Sequence, residues 1–432
     1  MITSRFLRRL TPEDVRHWRT RARAVDPTTL DAARDILSDI DARGDAAVLD
    51  HARRLGDLSQ GSRVMYSGAD LAAARGRLPA AHRELLERAA GRIRGFALAQ
   101  RACLHDLSFP IPGGRAGHTC IPVRTAGCYA PGGRFPLPSS VLMTAVTARA
   151  AGVERVLVAS PRPTDVTLAA ASIAGADGLL AMGGVQAIAA LARGLVGAPA
   201  CELTGGPGNR WVTAAKHLVS NDVGIDMLAG PSELLVLADA TADPAVIAAD
   251  LLAQAEHDDD AVPMLITTHE PLIDRVEAEL ARQLTDLPTR VTARAALQNG
   301  FVTLVANAAQ AVRLSDQVAP EHLELITQDA EALAADVRNA GAVFIGPLSA
   351  EVLGDYGAGP NHVLPTGGTA RFSAGLSVLT FLRARTWMHV EDRAAALPMA
   401  TDAAARARLE SLEAHARAAE QRVNAAASGG EG

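Results

Sequence analysis

The chain is 432 residues long, 48% hydrophobic and 21% charged, a balance that excludes a disordered, collagen-like or coiled-coil protein. Its formal net charge is −6, from 42 Lys+Arg against 48 Asp+Glu, which is not the basic footprint of a nucleic-acid binder. With Phe 8, Trp 3 and Tyr 3 it also has few rings for base stacking, and at roughly 150 residues per domain its length suggests two or three domains.

The N-terminal arginines are followed by no apolar run, so the start does not read as a signal peptide. Thr11-Pro12-Glu13-Asp14 reads instead as a helix start: an N-cap, Pro at the first helical position, then acids in the first turn. Residues 1 to about 100 carry Ala, Leu, Arg and Asp at helical spacing and predict several amphipathic helices. A Pro/Gly-rich stretch follows from Phe109 to Ser140. Short β-branched or leucine-rich runs then alternate with helical segments: Val153–Ala159, Glu233–Ala238, Met264–Thr267, Val302–Val305 and Ala342–Ile345. That alternation predicts an α/β fold with largely parallel, buried strands. Beyond about residue 381 the texture changes, and residues 398–425 form one Ala/Arg/Glu-rich helical pattern. It is polar all round apart from Leu409 and Leu412, which suits a helix lying against a partner or another domain. No stretch reaches 18 uninterrupted apolar residues, so no membrane span is expected. Cys103, Cys120, Cys128 and Cys201 include no CxxC pair and read as free, buried thiols of a cytoplasmic protein.

Several segments carry residues capable of chemistry. Asp243-Pro244 opens a helix near whose end Gln254 and His257 share a face. This is either a metal-binding pair or a histidine favoured by the helix dipole and by Asp258, Asp259 and Asp260. In Ala319-Pro320-Glu321-His322-Leu323-Glu324 the adjacent acid and imidazole are either two proton-transfer groups or a helix-start Glu with an incidental His. The loop from Gly354 to Gly368 places Asp355 and His362 in a Gly/Pro/Asn-rich run of a length that is usually functional. There is no GxGxxG, Walker loop or GxSxG elbow. The turns Tyr129-Ala-Pro-Gly-Gly133 and Gly205-Gly-Pro-Gly-Asn209 are either plain turns or, for the second, an anion-facing loop before the helical segment Trp211–Val219.

Taken together, YAPGGRFPLPSSVLMTAVTARAAGV, GGVQAIAALARG, GGPGNRWVTAAK, IDMLAGPSELLVLAD, LLAQAEHD, APEHLEL and GPNHVLPTGGTARFSAGLSV, in this order over roughly residues 125–385, with ESLEAHA near the end, resemble the histidinol dehydrogenase family. The resemblance implies two incomplete Rossmann-like domains with largely parallel sheets, plus a helical N-terminal region and a helical C-terminal tail. One module would comprise residues 1–125 and 236–380, the other 126–235, and the tail 381–432 would reach the partner subunit of a homodimer with shared active sites. It implies NAD and one Zn2+ per subunit, and oxidation of L-histidinol via L-histidinal to L-histidine, the last steps of histidine biosynthesis. The family's zinc ligands fall on Gln254, His257, Asp355 and His415, and its catalytic pair on Glu321 and His322. Those six residues, with Ser232, His362 and Glu410, would also form the substrate pocket. The NAD contacts fall on Tyr129, Gln186 and Asn209.

Some segments depart from the family pattern. Arg134-Phe135 follows the PGG turn where small residues are usual, and three aspartates follow QAEH. The Gly-Gly-Arg-aromatic pattern is similar to dehydrogenases of anionic diols such as sulfopropanediol, so a paralogue oxidising another polar alcohol is the alternative. Arg134 would then pair with an anionic group, or else with NAD phosphate or solvent. A zinc-stabilised binding module without catalysis and a zinc hydrolase are the readings from other classes.

Overall fold

The computed structural model describes residues 6–18, 25–59, 61–132 and 136–424. The chain divides into two compact units, residues 1–99 with 123–381 and residues 100–122 with 382–432.

The larger unit holds two six-stranded sheets. The first runs in the spatial order Arg8–Arg9, Phe301–Leu304, Val262–Thr267, Glu233–Ala238, His322–Ile326, Ala342–Ile345, and every pair in it is parallel. Its central strands are apolar on both faces, as a sheet covered by helices on both sides requires. Leu234, Val236 and Leu265 pack with Ile247, Leu251 and Leu272 of the helices Pro244–Ala255 and Glu270–Gln283. Leu235, Leu237 and Met264 pack the other way, against Ala311, Val312 and Leu314 of the helix Ala308–Val318.

The second sheet runs Met65–Ser67, Gly178–Leu180, Arg155–Ala159, Thr125–Tyr129, Leu203–Gly205, Gly224–Ile225. All its pairs are parallel except the antiparallel edge strand Met65–Ser67. The helices Pro27–Arg43 and Asp45–Arg54 bury Leu37, Ile40 and Val48 in one cluster with Leu157, Leu180 and Ile188. Residues 27–77 therefore side with the second sheet, whereas the sequence reading groups residues 1–125 with the first. The apolar stripe of a helix names a face to be buried, not the sheet that buries it.

The smaller unit is built on a three-stranded antiparallel sheet, Leu382–Val390, Gly114–Pro122 and Leu107–Ile111. The tail thus begins with a strand rather than a helix. The single helix expected over 398–425 is two, Arg393–Leu409 and Glu413–Asn424, separated at Ser411, whose φ of 62° lies in the left-handed region. Leu409 and Leu412 are both exposed, whereas Ala404 and Ala416 are buried.

Of the cysteines, Cys128 and Cys201 are buried, and burial pushes each thiol up to about 12. Cys103 is exposed and Cys120 only half-buried, against the expectation that all four lie inside. Among the described residues no helix is long and apolar enough to cross a membrane.

Candidate active site

Two strands of the first sheet start side by side, with Leu234 in register with His322. Glu321, just before the second strand, accepts from Glu233 N at 3.0 Å. His322 Nδ1 lies 2.9 Å from Glu233 O. A carbonyl only accepts, so Nδ1 carries the proton and Nε2 is the basic atom; Nε2 is buried with no hydrogen-bond partner. Burial lowers His322 to about 4, leaving a neutral imidazole at ordinary pH. Burial, with Glu233 and Asp355 nearby, holds Glu321 well above the usual carboxylate range. Half-buried Ser232 lies close enough to favour the ionised form of Glu321, against that trend. The Ala319–Glu324 segment is thus the entry to a strand, not a helix start.

The helix Pro244–Ala255 delivers a second group of side chains. Asp243 caps it, accepting from Ala245 N at 2.8 Å; Gln254 lies in its last turn and His257 just past its C-cap, Glu256. His257 Nδ1 lies 3.2 Å from Gln254 O, which directs Nε2 outward, 3.8 Å from Asp355 Oδ2. Asp355 sits in a wide π-type turn, Gly354–Ala358, a local form found mostly at functional sites. His362 Nδ1 lies 3.1 Å from Asp355 O and 3.7 Å from Asp355 Oδ1. Burial works against an ionised Asp355, but the neighbouring His257, His362 and His322 hold its carboxyl below the usual range. Asp355 in turn raises His257, while burial lowers His362.

Gln254, His257 and Asp355 are thus brought together. Gln254 Oε1 is buried and unpartnered, and its Nε2 lies 3.4 Å from His257 Nδ1; with an outward imidazole nitrogen and a carboxylate it makes up a candidate set. That is an N/O donor set of the kind zinc takes. His415 and Glu410 lie in the smaller unit, His415 in the helix Glu413–Asn424 and Glu410 ending the helix before it. Among the described residues one other cluster could hold an ion: His322, Glu351 and Asp355 offer ligand atoms within 4.8 Å of one another. Glu351 carries no sequence signal. Its carboxyl is 3.4 Å from His322 Nδ1 and is pushed well above the usual range by burial and by Asp355.

The nucleotide candidates belong to the second sheet. From Thr125–Tyr129 the chain winds one way through Arg155–Ala159 and Gly178–Leu180, then the other way through Leu203–Gly205 and Gly224–Ile225. Order reverses between Tyr129 and Gly205, and open α/β sheets bind ligands at the carboxyl ends of strands flanking such a point. Tyr129 ends one strand, and its hydroxyl accepts from Gly184 N at 3.4 Å. Gln186 is buried; its Nε2 donates to Asp57 Oδ2 at 3.0 Å and its Oε1 has no partner. Asp57 Oδ2 also accepts from Gly183 N at 2.8 Å; no motif announces this residue. Exposed Asn209 caps the helix Arg210–Val219, its Oδ1 accepting from Trp211 N and Val212 N. The first sheet also reverses, and at that point lies a cavity of about 300 Å³ whose lining includes Asp239 and Asp329. Gly133, Arg134 and Phe135 lie outside the described residues.

Fold and site together define a two-sheet α/β enzyme with a buried acid–imidazole pair beside a metal-type ligand group. The family model "Histidinol dehydrogenase" matches residues 19–423, and the chain belongs to that family of oxidoreductases. It is 45% identical to the histidinol dehydrogenase of Parasynechococcus marenigrum over 396 residues, 90% of either chain. It is 43% identical to that of Thermus thermophilus over 424 residues, 95% of this chain and 98% of the relative. The crystal structure of histidinol dehydrogenase from Elizabethkingia anophelis superposes with a TM-score of 0.91 at 29% identity, covering 98% of this chain and 99% of that one.

Proposed function

We propose that the chain is a zinc- and NAD-dependent dehydrogenase that oxidises L-histidinol via L-histidinal to L-histidine, the closing steps of histidine biosynthesis in the cytoplasm. The observation that carries this reading is the buried Glu321–His322 pair beside the convergent Gln254, His257 and Asp355. Gln254 Oε1, His257 Nε2, the Asp355 carboxylate and His415 would hold the ion. The tail bearing Glu410 and His415 would serve the partner's site in a homodimer. When bound, zinc supplies a Lewis-acid anchor for the substrate's imidazole and amine, and NAD accepts hydride.

The chain's own residues move the protons. His322 enters neutral, and its Nε2 takes the hydroxyl proton of the alcohol as the carbinol carbon is oxidised to the aldehyde. Glu321, acting in its carboxylate form, takes a proton from the water attacking the aldehyde. The hydrate is then oxidised to the carboxylate. Ser232 orients Glu321, and His362 lines the pocket beside Asp355. Each proton-transfer group is worth about 10²–10⁴-fold.

Stripping the metal with a chelator tests the reading. Histidinol-dependent NAD reduction should vanish and return on adding zinc alone. Full turnover by the stripped enzyme would refute the metal assignment.

A further inference from the structure

The loop from Gly205 to Asn209 is gripped from beneath by an ion pair sealed from solvent. Lys216, on the helix Arg210–Val219, pairs with Asp226, just beyond the strand Gly224–Ile225, and their side chains are 2% and 0% exposed. Both partners close on one residue. Lys216 Nζ donates to Gly206 O at 3.1 Å, and Gly206 N donates to Asp226 Oδ2 at 2.7 Å. Asp226 Oδ1 also accepts from Met227 N at 2.7 Å.

Gly206 is where the fit is tightest. Its φ is 119°, and a Cβ there would lie 2.0 Å from Tyr129 O, so the turn is pressed onto the end of the strand that carries Tyr129. Three residues on, Asn209 caps the helix from which Lys216 reaches back. Tyr129 and Asn209, on opposite sides of the point where strand order reverses, are thereby held relative to one another through a single residue, Gly206. Stability alone is a weak reason to keep such a pair, because apolar replacement of buried ion pairs is often neutral or favourable, whereas removing one partner is costly.

We propose that Lys216 and Asp226 are positioning residues for the cofactor: neither touches the dinucleotide, but together they hold the Gly205–Asn209 turn in the shape that receives it. This rests on the NAD reading above. The test is calorimetric binding of NAD to the zinc-loaded, full-length protein without substrate, for the wild type, Asp226→Asn, Lys216→Met and the double variant Lys216→Met/Asp226→Leu. Thermal unfolding, zinc content and both KM values are measured alongside.

The single variants should unfold at lower temperature and bind NAD about 10–100-fold more weakly, the scale of a displaced binding element. KM for histidinol and zinc content should stay within about twofold. The double variant, which leaves no lone buried charge, should unfold at a higher temperature than either single variant without recovering NAD affinity, which a purely structural pair would not do. Wild-type NAD affinity in the double variant, or in a folded single variant, overturns the proposal. A wild type that binds no NAD overturns the cofactor reading itself, a result distinct from failure of the clamp.

Discussion

His322 has one ring nitrogen committed to Glu233 O and the other buried without a partner, so its chemistry is confined to Nε2. His322→Asn should lower kcat for alcohol oxidation by about 10²–10⁴-fold and leave zinc content intact, read by steady-state kinetics and metal analysis. Zinc content separates the two clusters that share Asp355. With the ion on Gln254, His257 and Asp355, Gln254→Ala loses zinc and Glu351→Gln keeps it; the opposite pattern would place the ion on His322, Glu351 and Asp355. At this scale the sequence is informative where spacing is local. The spacing of Gln254 and His257 foretold that they meet, although the helix ends at Ala255 and His257 lies just beyond it. Glu351 is invisible because nothing local marks a carboxylate for burial, and Asp57 matters through Gly183 and Gln186, far away in the chain.

The strand His322–Ile326 carries a second buried acid, Glu324, whose Oε1 accepts from Glu351 N at 2.7 Å. Its carboxyl also hydrogen-bonds that of Asp250 on the helix Pro244–Ala255. Two carboxylates cannot donate to each other, so the pair holds a proton; burial pushes both groups above the ordinary carboxylate range. The folded state thus keeps a proton that the unfolded chain has released. This contribution is greatest at acid pH and is lost as pH rises from the ordinary carboxylate range towards and past neutrality. Glu324→Gln, which keeps the acceptor for Glu351 N and gives Asp250 a permanent donor, should flatten the fall of unfolding temperature between acid and slightly alkaline pH. An unchanged slope would remove the pair from the account.

The strands expected from β-branched runs at 153–159, 233–238, 264–267, 302–305 and 342–345 are all present within a residue or two at their ends, at 155–159, 233–238, 262–267, 301–304 and 342–345. The strand at 322–326 was hidden because His322 and Glu324 put polar residues where a buried strand should be apolar. Leu382–Val390 was hidden by arginines on a largely exposed strand.

At the scale of the molecule, parallel sheets and the α/β class were legible because buried strands and amphipathic helices alternate along the chain. The grouping of residues 27–77 was not, and neither was the pairing of 114–122 with 382–390, because both depend on contacts distant in sequence. A shared site in a homodimer makes a sharp prediction. Co-refolded His322→Asn and His415→Ala chains should regain about a quarter of wild-type activity, since half the dimers are mixed and one of their two sites is intact. Sites completed within one chain would leave every site defective and the mixture dead.

The most direct measurement is the yield of NADH per histidinol consumed, for the wild type and for Glu321→Gln. The wild type should give two, and Glu321→Gln should fall towards one, with histidinal accumulating, because alcohol oxidation uses His322 and only the hydrated aldehyde needs Glu321. One NADH from the wild type would contradict the two-step oxidation. Equal slowing of both steps by Glu321→Gln would contradict the division of labour between the two buried residues.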